Sequence, residues 1–480
     1  MTSTFHGLET ARRGMTVHQF AISVTGQNIS NANTPGYSRQ RVNFEETNPF
    51  PYPSMNRPEM PGQMGTGVQA GSIQRVREQF LDQQFQGEHT KWGYWSAKSE
   101  ALEKIEDILN EPSDYGLSKT LNRFWGSLQD LANQPGSTAA RSVVLQRGLA
   151  VADTFHYLTN SLETIKNDIG AQLNTTVLET NSLLKQIATI NQQISEIEPH
   201  GYLPNDLYDQ RDVLVDQLSQ MMNISVTRTK SLGHPLELAE GVYTITLQDH
   251  SGKPIANLLD NTGDVHALTL STSSAGVSLK VDGTDITDQP FSGKLQSLKE
   301  SYTTLYPTMQ HQLDHMAKSF SEEFNNVHKT GYGVRAHHKE TGVSFFSGDS
   351  AATIAVALTD GDLIAASSKE DELGNGVNAL QLQKVITQPI TIDGSKSSLQ
   401  SYYAGVIGKL GVESLEAGRL TQNSKVLEEA VDNRRQSISG VSLDEEMTQL
   451  IQFQHAYNAS ARNITIIDQM LDKVINMAGR

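Results

Sequence analysis

Two histidines four residues apart, His311 and His315, lie in a stretch whose apolar spacing predicts a helix, and that interval puts both imidazoles on one helix face. Paired imidazoles at this spacing are ligands for a divalent metal such as zinc. A zinc hydrolase of this pattern also needs a carboxylate base beside the metal, and Gln312 stands where it would be. The pair therefore reads as exposed helical histidines. His337-His338 are flanked by Arg335 and Lys339, which repel a cation. Gly65-Thr66-Gly67 lacks the further glycine and the helix of a dinucleotide loop, and no Gly-x-x-x-x-Gly-Lys segment occurs. The acidic pairs Glu322-Glu323, Glu428-Glu429 and Glu445-Glu446 are sequence neighbours, so on a helix they diverge and read as solvated faces. Asp282, Asp285 and Asp288 lack the spacing of a calcium loop and fit turn chemistry instead. The expectation is a chain with no catalytic residues, no cofactor and no metal site, and hence not an enzyme.

The elements that would have to position such chemistry point to association instead. Leu8, Met15, Ile22 and Ile29 form a seven-residue apolar ladder at the front, with Val17 and Val24 on a neighbouring face. Leu443, Leu450, Tyr457, Ile464 and Leu471 form another at the back, and Phe453, Ile467 and Val474 follow three of its rungs by three residues. A seven-residue repeat keeps one helix face apolar along its length, and burying that face takes another helix. His18 and Thr25 interrupt the front seam. An amphipathic helix lying on its own core would show a similar pattern; two such ends in one chain favour a coiled coil.

At 480 residues the chain is long enough for several domains, and its net charge of -16 disfavours nucleic acid or an anionic membrane as partner. Cysteine is absent, which removes disulfides and thiolate ligands. No apolar run approaches a membrane span, and the first fifteen residues lack the apolar core of a cleavable signal.

Along the chain the period of the apolar residues predicts an α, β, α order. A first helix runs from about Thr4 to Asn31 and ends at Asn31-Ala32-Asn33-Thr34-Pro35-Gly36, where Pro35-Gly36 suits a type II turn. Strands are expected at Tyr37 to Phe44 and Gly65 to Val76, separated by a Pro-rich stretch from Asn48 to Pro61. Helices follow from Phe80 to Pro112, from Leu117 to Pro135, and from Arg141 to Pro199, the last a rod of some 80 Å. Asn205 is expected to cap the next helix, with Leu207, Leu214, Leu218 and Met221 inward and Asp206, Asp209, Asp212 and Asp216 outward. Alternation at Ile224, Val242, Val265 and Val277, with a turn at Asp282-Gly283, marks a β part. Helix returns from Gly293 to Lys329, one short strand is expected at Thr353 to Leu358, and the chain is helical from Ser401 onward with a break at Ser439-Gly440. The fold class is thus mainly α with β insertions, elongated and multidomain, its terminal helices paired. The expected divisions are 1–37 with 441–480 as a polymerisation domain, 38–222 with 292–330 and 400–440 as a helical middle, 223–291 as an outer β domain, and 331–399 as mixed loop and strand.

The junction Asn28-Ile29-Ser30-Asn31-Ala32-Asn33-Thr34-Pro35-Gly36-Tyr37, within Thr25 to Gln40, closely resembles the N-terminal signature of bacterial flagellar rod, hook and hook-associated proteins. Gly65-Thr66-Gly67-Val68, Ile73-Gln74-Arg75-Val76, and the C-terminal set Glu445, Met447, Leu450, Phe453, Gln454, Tyr457, Ala459, Ala461 and Arg462 are similar to the same superfamily. Asn205 to Asp212, Asp216 to Ser219, and Gly293-Lys294-Leu295 resemble the hook-associated protein 1 family in particular. That resemblance implies a structural subunit at the joint of hook and filament, extracellular and exported through the flagellar type III apparatus without a cleavable signal. It implies as partners further copies of the chain in a ring, flagellar hook protein, hook-associated protein 3 and an export chaperone, with no nucleic acid and no membrane. The short β part implies that an additional outermost domain of some relatives is missing. The competing readings are the hook or another axial protein, which lacks the long rod, and, from another class, a secreted coiled-coil adhesin or effector, which leaves the Asn-Thr-Pro-Gly-Tyr junction unexplained.

Overall fold

The computed structural model describes residues 4–52, 55, 62–273, 276–334 and 342–478. His337, His338, Arg335, Lys339 and most of the Pro-rich stretch ending at Pro61 lie outside them. Helix α1 (Thr4–Ser30) leads into an antiparallel hairpin of β1 (Gln40–Glu46) and β2 (Val68–Arg75). Four helices follow: α2 (Gln79–Leu109), α3 (Leu117–Asn133), α4 (Thr138–Ile197) and α5 (Asn205–Met221). Strands β3 (Ile224–Thr229), β4 (Val242–Gln248) and β5 (Pro254–Leu259) make one three-stranded sheet, and β6 (Leu268–Ser273), β7 (Gly276–Val281) and β8 (Thr284–Asp285) make another. Then come α6 (Lys294–Glu300), α7 (Tyr306–His328), the pair β9 (Phe346–Ser347) and β10 (Ala355–Val356), α8 (Val377–Lys384), the hairpin β11 (Ile390–Ile392) and β12 (Ser395–Ser397), and finally α9 (Leu399–Ser439) and α10 (Leu443–Ala478). The result is a mainly α architecture with small β insertions, in which α1 packs on α10 and α2 on α9, so the chain closes on itself from both ends.

The 60-residue α4 is the axis of the body, about 90 Å long at 1.5 Å per residue. Ser137 starts it by accepting a hydrogen bond from the Ala140 amide, and Pro199 lies just past its end. Leu158, Leu162, Ile169, Leu173, Leu184, Ile187 and Ile194 line one face and are almost wholly buried. Each such side chain contributes roughly 1.5–3 kcal/mol of burial, so no part of the rod depends on helix propensity alone. At its N-terminal half Phe124, Phe320, Phe324, Phe345 and Phe346 pack ring against ring, with the Phe345 and Phe346 centroids 4.7 Å apart.

The β part is fastened to the same rod by two asparagines. Asn191 Nδ2 donates to Tyr243 O at 2.8 Å while its Oδ1 accepts from Tyr243 N at 3.1 Å. Asn181 does the same with Leu268, both bonds at 2.8 Å. Each amide side chain takes the place of a missing strand partner, satisfying backbone groups that would otherwise be left unpaired against the helix.

The helix expected from Gly293 to Lys329 is one rod with a wider turn in it. At Ser301–Leu305 the hydrogen bonds lengthen by one residue, and Tyr306 N–H donates to Ser301 O. Pro307 explains the bulge, since it has no N–H and its ring collides with a carbonyl of the preceding turn. Asp282 and Gly283 form the expected turn, both with positive φ, 47° and 80°. Strand β5, helix α8 and the β11–β12 hairpin were not expected from the sequence.

Candidate assembly site at the paired chain ends

Helices α1 and α10 run antiparallel in register. A Cβ on Gly7 would lie 3.3 Å from Ile467, one on Gly14 3.2 Å from Ser460, and Asn28 bonds Glu446, so steps of seven on one helix match steps of seven on the other. The small residues at 7 and 14 let the two backbones approach closely. The buried residues of α1 are Val17, Ala21, Val24, Thr25 and Asn28. Leu8, Met15, Ile22 and Ile29 are half-buried, so the deepest face is rotated from the predicted ladder toward the neighbouring Val17 and Val24 series. The cause is a third partner: Val42 and Ile73 of the β1–β2 hairpin pack with Phe453 around Ala21 and Val24. His18, expected to weaken the seam, sits between Phe44 and Phe453 at ring separations of 6.1 and 6.3 Å, and burial lowers its pKa.

On α10, Leu450, Phe453, Tyr457, Ile464, Ile467 and Leu471 are half-buried. Leu443 and Val474, the outermost members of the predicted set, are exposed. Met447, Ile451, Ile466, Met470 and Ile475 are exposed as well, so uncovered apolar side chains stand toward both ends of α10, with the polar Gln452, His455, Asn458 and Arg462 exposed between them.

The junction after α1 is built around Asn28, which is buried and makes four hydrogen bonds. Its Nδ2 donates to Gln40 O at 2.8 Å and to Glu446 Oε2 at 2.9 Å, and its Oδ1 accepts from Gln40 N at 3.0 Å and Tyr37 OH at 2.8 Å. Burial, reinforced by Asp209, Asp206 and Glu446, raises the Tyr37 pKa, so the phenol stays a donor. Asn31, Thr34 and Tyr37 shape the turn: Thr34 N donates to Asn31 O at 2.9 Å and Tyr37 N to Thr34 O at 3.2 Å. Gly36 holds φ 78° beyond Pro35, and a Cβ there would meet Val213 of α5 at 2.1 Å, so both its backbone and its lack of a side chain are required. Asn33 projects into solvent. Glu446, expected on a solvated face, is instead fully buried, with Arg39 Nε on Oε1 at 2.7 Å while Arg39 Nη1 holds Glu445 at 2.7 Å.

Beneath the junction the acidic face of α5 is turned inward, contrary to the sequence expectation for Asp209, Asp212 and Asp216. Arg75 Nη1 lies 2.6 Å from Asp209 and 2.9 Å from Asp212, and Arg75 Nη2 pairs with Glu240. Arg77 bridges Asp82 at 2.8 Å and Asp212 at 3.0 Å, and Arg435 of α9 reaches Asp216 at 2.5 Å. Arg211, fully buried, stacks its guanidinium 3.4 Å from the Tyr243 ring. Guanidiniums from β2, the segment after it, α5 and α9 thus converge on carboxylates from α2 and α5 and on Glu240 just before β4, which makes burial of both charges tolerable. Burial alone would raise the Asp212 pKa, but Arg77, Arg75 and Arg211 together hold it well below the usual range. For Asp216 burial outweighs Arg435, and its pKa is raised to about 6. Asn205 does not cap α5; its amide donates to Ile73 O at 3.0 Å and tethers the helix start to the hairpin.

The two ends therefore form a helix pair locked to the body by a buried polar junction. The ends match two families of flagellar axial proteins: "Flagella basal body rod protein" over residues 8–37 and "Flagellar basal body rod FlgEFG protein C-terminal" over residues 432–477. The body matches the family described as "Flagellar hook-associated protein FlgK helical domain" over residues 102–346. Over its full length the chain is 43% identical to flagellar hook-associated protein 1 of Bacillus subtilis, covering 100% of this chain and 99% of that one. It is 24% identical to hook-associated protein 1 of Escherichia coli, covering 98% and 99% of the two chains. The chain belongs to the flagellar hook-associated protein 1 family. Its fold is similar to that of the flagellar hook junction protein FlgK from Burkholderia pseudomallei, with a TM-score of 0.62 at 14% identity, covering 74% of this chain and 100% of that one.

Proposed function

We propose that this chain is a structural subunit of the bacterial flagellum that forms the junction between hook and filament, self-assembling through its terminal helices. The observation that carries the reading is the set of uncovered apolar side chains toward the two ends of α10, Met447 with Ile451 and Ile466 with Met470, on a helix already paired with α1 and already matched to the axial protein families. Large apolar side chains left exposed in groups on a paired helix mark surfaces that another protein covers. Residues 1–37 with 441–480 act as the polymerisation domain, and 38–222, 292–330 and 400–440 as the helical middle. Residues 223–291 act as the outer β domain, and 331–399 as a mixed segment on the outside of the middle.

In this scheme the half-buried series Leu8, Met15, Ile22 and Ile29, together with Leu443, Leu450, Tyr457, Ile464, Leu471 and Val474, is completed by neighbouring copies. The partners beyond self are flagellar hook protein on one side, hook-associated protein 3 on the other, and an export chaperone before assembly. Open grooves beside the terminal pair support contacts there. One of about 900 Å³ runs between Arg12, Arg13 and Phe20 of α1 and Phe50 and Tyr52 after β1. Export proceeds through the flagellar apparatus to an extracellular position, without chemistry performed by the chain.

Deleting the gene in its host and imaging the cells by electron microscopy tests the reading. Hooks without filaments are expected, with filaments restored by the intact chain and not by an Ile451→Asp variant that is exported and folded. Normal filaments in the deletion strain would overturn the junction role.

A further inference from the structure

Asp393, far along the chain from the two helical histidines, lies beside them in the fold. His311 Nε2 and His315 Nε2 are 3.1 Å apart, and their rings are tilted by 39° with centroids 4.1 Å apart. Asp393 Oδ1 lies 3.8 Å from His315 Nδ1, the nitrogen on the other side of that ring. Ligand atoms of all three residues fall within 4.8 Å of one another. We propose that His311 and His315 chelate a divalent transition metal ion through their Nε2 atoms, with Asp393 holding the His315 ring from behind.

The geometry suits one ion. Zinc–nitrogen bonds of about 2.0–2.1 Å in a tetrahedral site set two ligand nitrogens roughly 3.3–3.4 Å apart, close to the spacing already present. Without metal, two imidazole nitrogens at this distance hold a single proton between them, one as N–H donor and the other as acceptor. An ion that takes both lone pairs displaces that proton. Drawn in from 3.8 Å to hydrogen-bonding distance when an ion binds, the Asp393 carboxylate at the Nδ1 side would fix the tautomer in which Nε2 is free to bind and raise the basicity of the ring. Two nitrogen ligands select zinc, nickel or copper over magnesium or calcium, which take oxygen.

The turn that carries Asp393 is also held in place before any ion arrives. Asp393 sits at the tip of the β11–β12 hairpin with φ 49°, and Ile392↔Ser395 pairing closes the turn behind it. Ile392 and Ile390 are buried beneath the hairpin, and Ser319 of α7 donates to Thr391 O at 3.3 Å. All three groups are half-buried or exposed, so an ion has open access and water completes the coordination. Binding would pin the hairpin to α7, a clasp on the outside of the body, well removed in sequence from the terminal pair. The sequence argument against this histidine pair, that Gln312 replaces a general base, excludes a hydrolase and not a binding site.

Equilibrium dialysis of the full chain against zinc chloride, after chelator treatment, tests the clasp. One zinc per chain is expected. His311→Ala with His315→Ala should abolish that equivalent, and Asp393→Asn should weaken it by ~10- to 100-fold, the usual effect of removing such a supporting carboxylate. Zinc should also slow amide exchange across β11 and β12 in the intact chain only. Because the chain has 14 histidines, the variants decide the location. Uptake unchanged in the double variant, no stoichiometric uptake by the intact chain, or affinity unaltered by Asp393→Asn would each overturn the proposal. Circular dichroism spectra matching the intact chain keep loss of binding distinct from loss of fold, since none of the three side chains is in the core.

Discussion

Replacing Asn28 by alanine should uncouple the terminal helix pair from the rest of the molecule. The substitution removes four hydrogen bonds at once, to Gln40 N, Gln40 O, Glu446 and Tyr37. Tyr37 is only half-buried and can turn its hydroxyl to water. The two Gln40 backbone groups are buried and have no such recourse, at about 1–3 kcal/mol each. Glu446 keeps Arg39 on Oε1 but loses its partner on Oε2, a further cost of about 1 kcal/mol or more for a charged acceptor. The sum is about 3–7 kcal/mol, felt where α1, β1 and α10 meet. Hydrogen exchange followed by mass spectrometry reads it locally. At about 1.4 kcal/mol per factor of ten, amides of α1 and the first half of α10 should exchange on the order of 100-fold faster or more. Amides of α3, α4 and α7, which share no bond with the junction, should keep their rates. Unchanged protection in α10, or an equal loss throughout the chain, would refute the view of Asn28 as the local lock.

The buried His328 should make the body acid-sensitive. Its Nδ1 lies 2.8 Å from Val343 O and its Nε2 accepts from Ala365 N at 3.0 Å, so the fold binds the neutral ring, and burial lowers its pKa from 6.5 to about 4. A depressed histidine gives stability that is present above pH 6.5 and lost as pH falls toward 4, here about 3 kcal/mol; denaturant midpoints across that window should fall in the native chain and stay flatter in His328→Gln. Arg75→Ala should destabilise by about 3–5 kcal/mol, because Asp209, Asp212 and Glu240 lose their shared cation while remaining buried; a melting temperature within a degree of the native value would contradict that. Asn191→Ala leaves the backbone N–H and C=O of Tyr243 without their partners on α4 and should cost about 2–3 kcal/mol, with exchange accelerated first in β4 rather than in α4.

Elements with one dominant apolar face were legible in the sequence. The α4 rod, the break at Ser439-Gly440 and the turn at Asp282-Gly283 each depend on local spacing or on φ preferences that a residue carries with it. What local pattern could not supply was the identity of a distant partner. Asp209 and Asp212 look like solvent-facing carboxylates on α5 until Arg75 and Arg77 arrive from the end of a hairpin. Glu446 looks solvated until Arg39 and Asn28 close over it. In each case a charge was read as exposed because nothing nearby in sequence could neutralise it, and the fold supplied the neutralising group from another element. Asp393 is the same lesson in reverse, a carboxylate distant from the histidine pair in the sequence and beside it in space.

The front ladder fails in a different way, and the failure bears on function. A seven-residue repeat states that a helix has an apolar face, but with two neighbours of different width the deepest contact goes to whichever residues both can reach. On α1 those are Ala21 and Val24, wedged between Phe453 and the hairpin. Leu8, Met15, Ile22 and Ile29 are left half-covered although their spacing is the more regular. A regular apolar ladder that its own chain only half buries fits a helix shaped for a second contact, and uncovered apolar side chains such as Met447, Ile451, Ile466 and Met470 lie on the helix beside it. Burial of both in one step would add the hydrophobic term that the separate subunit lacks, which would tie the proposed self-assembly to the chain ends rather than to the well-packed body.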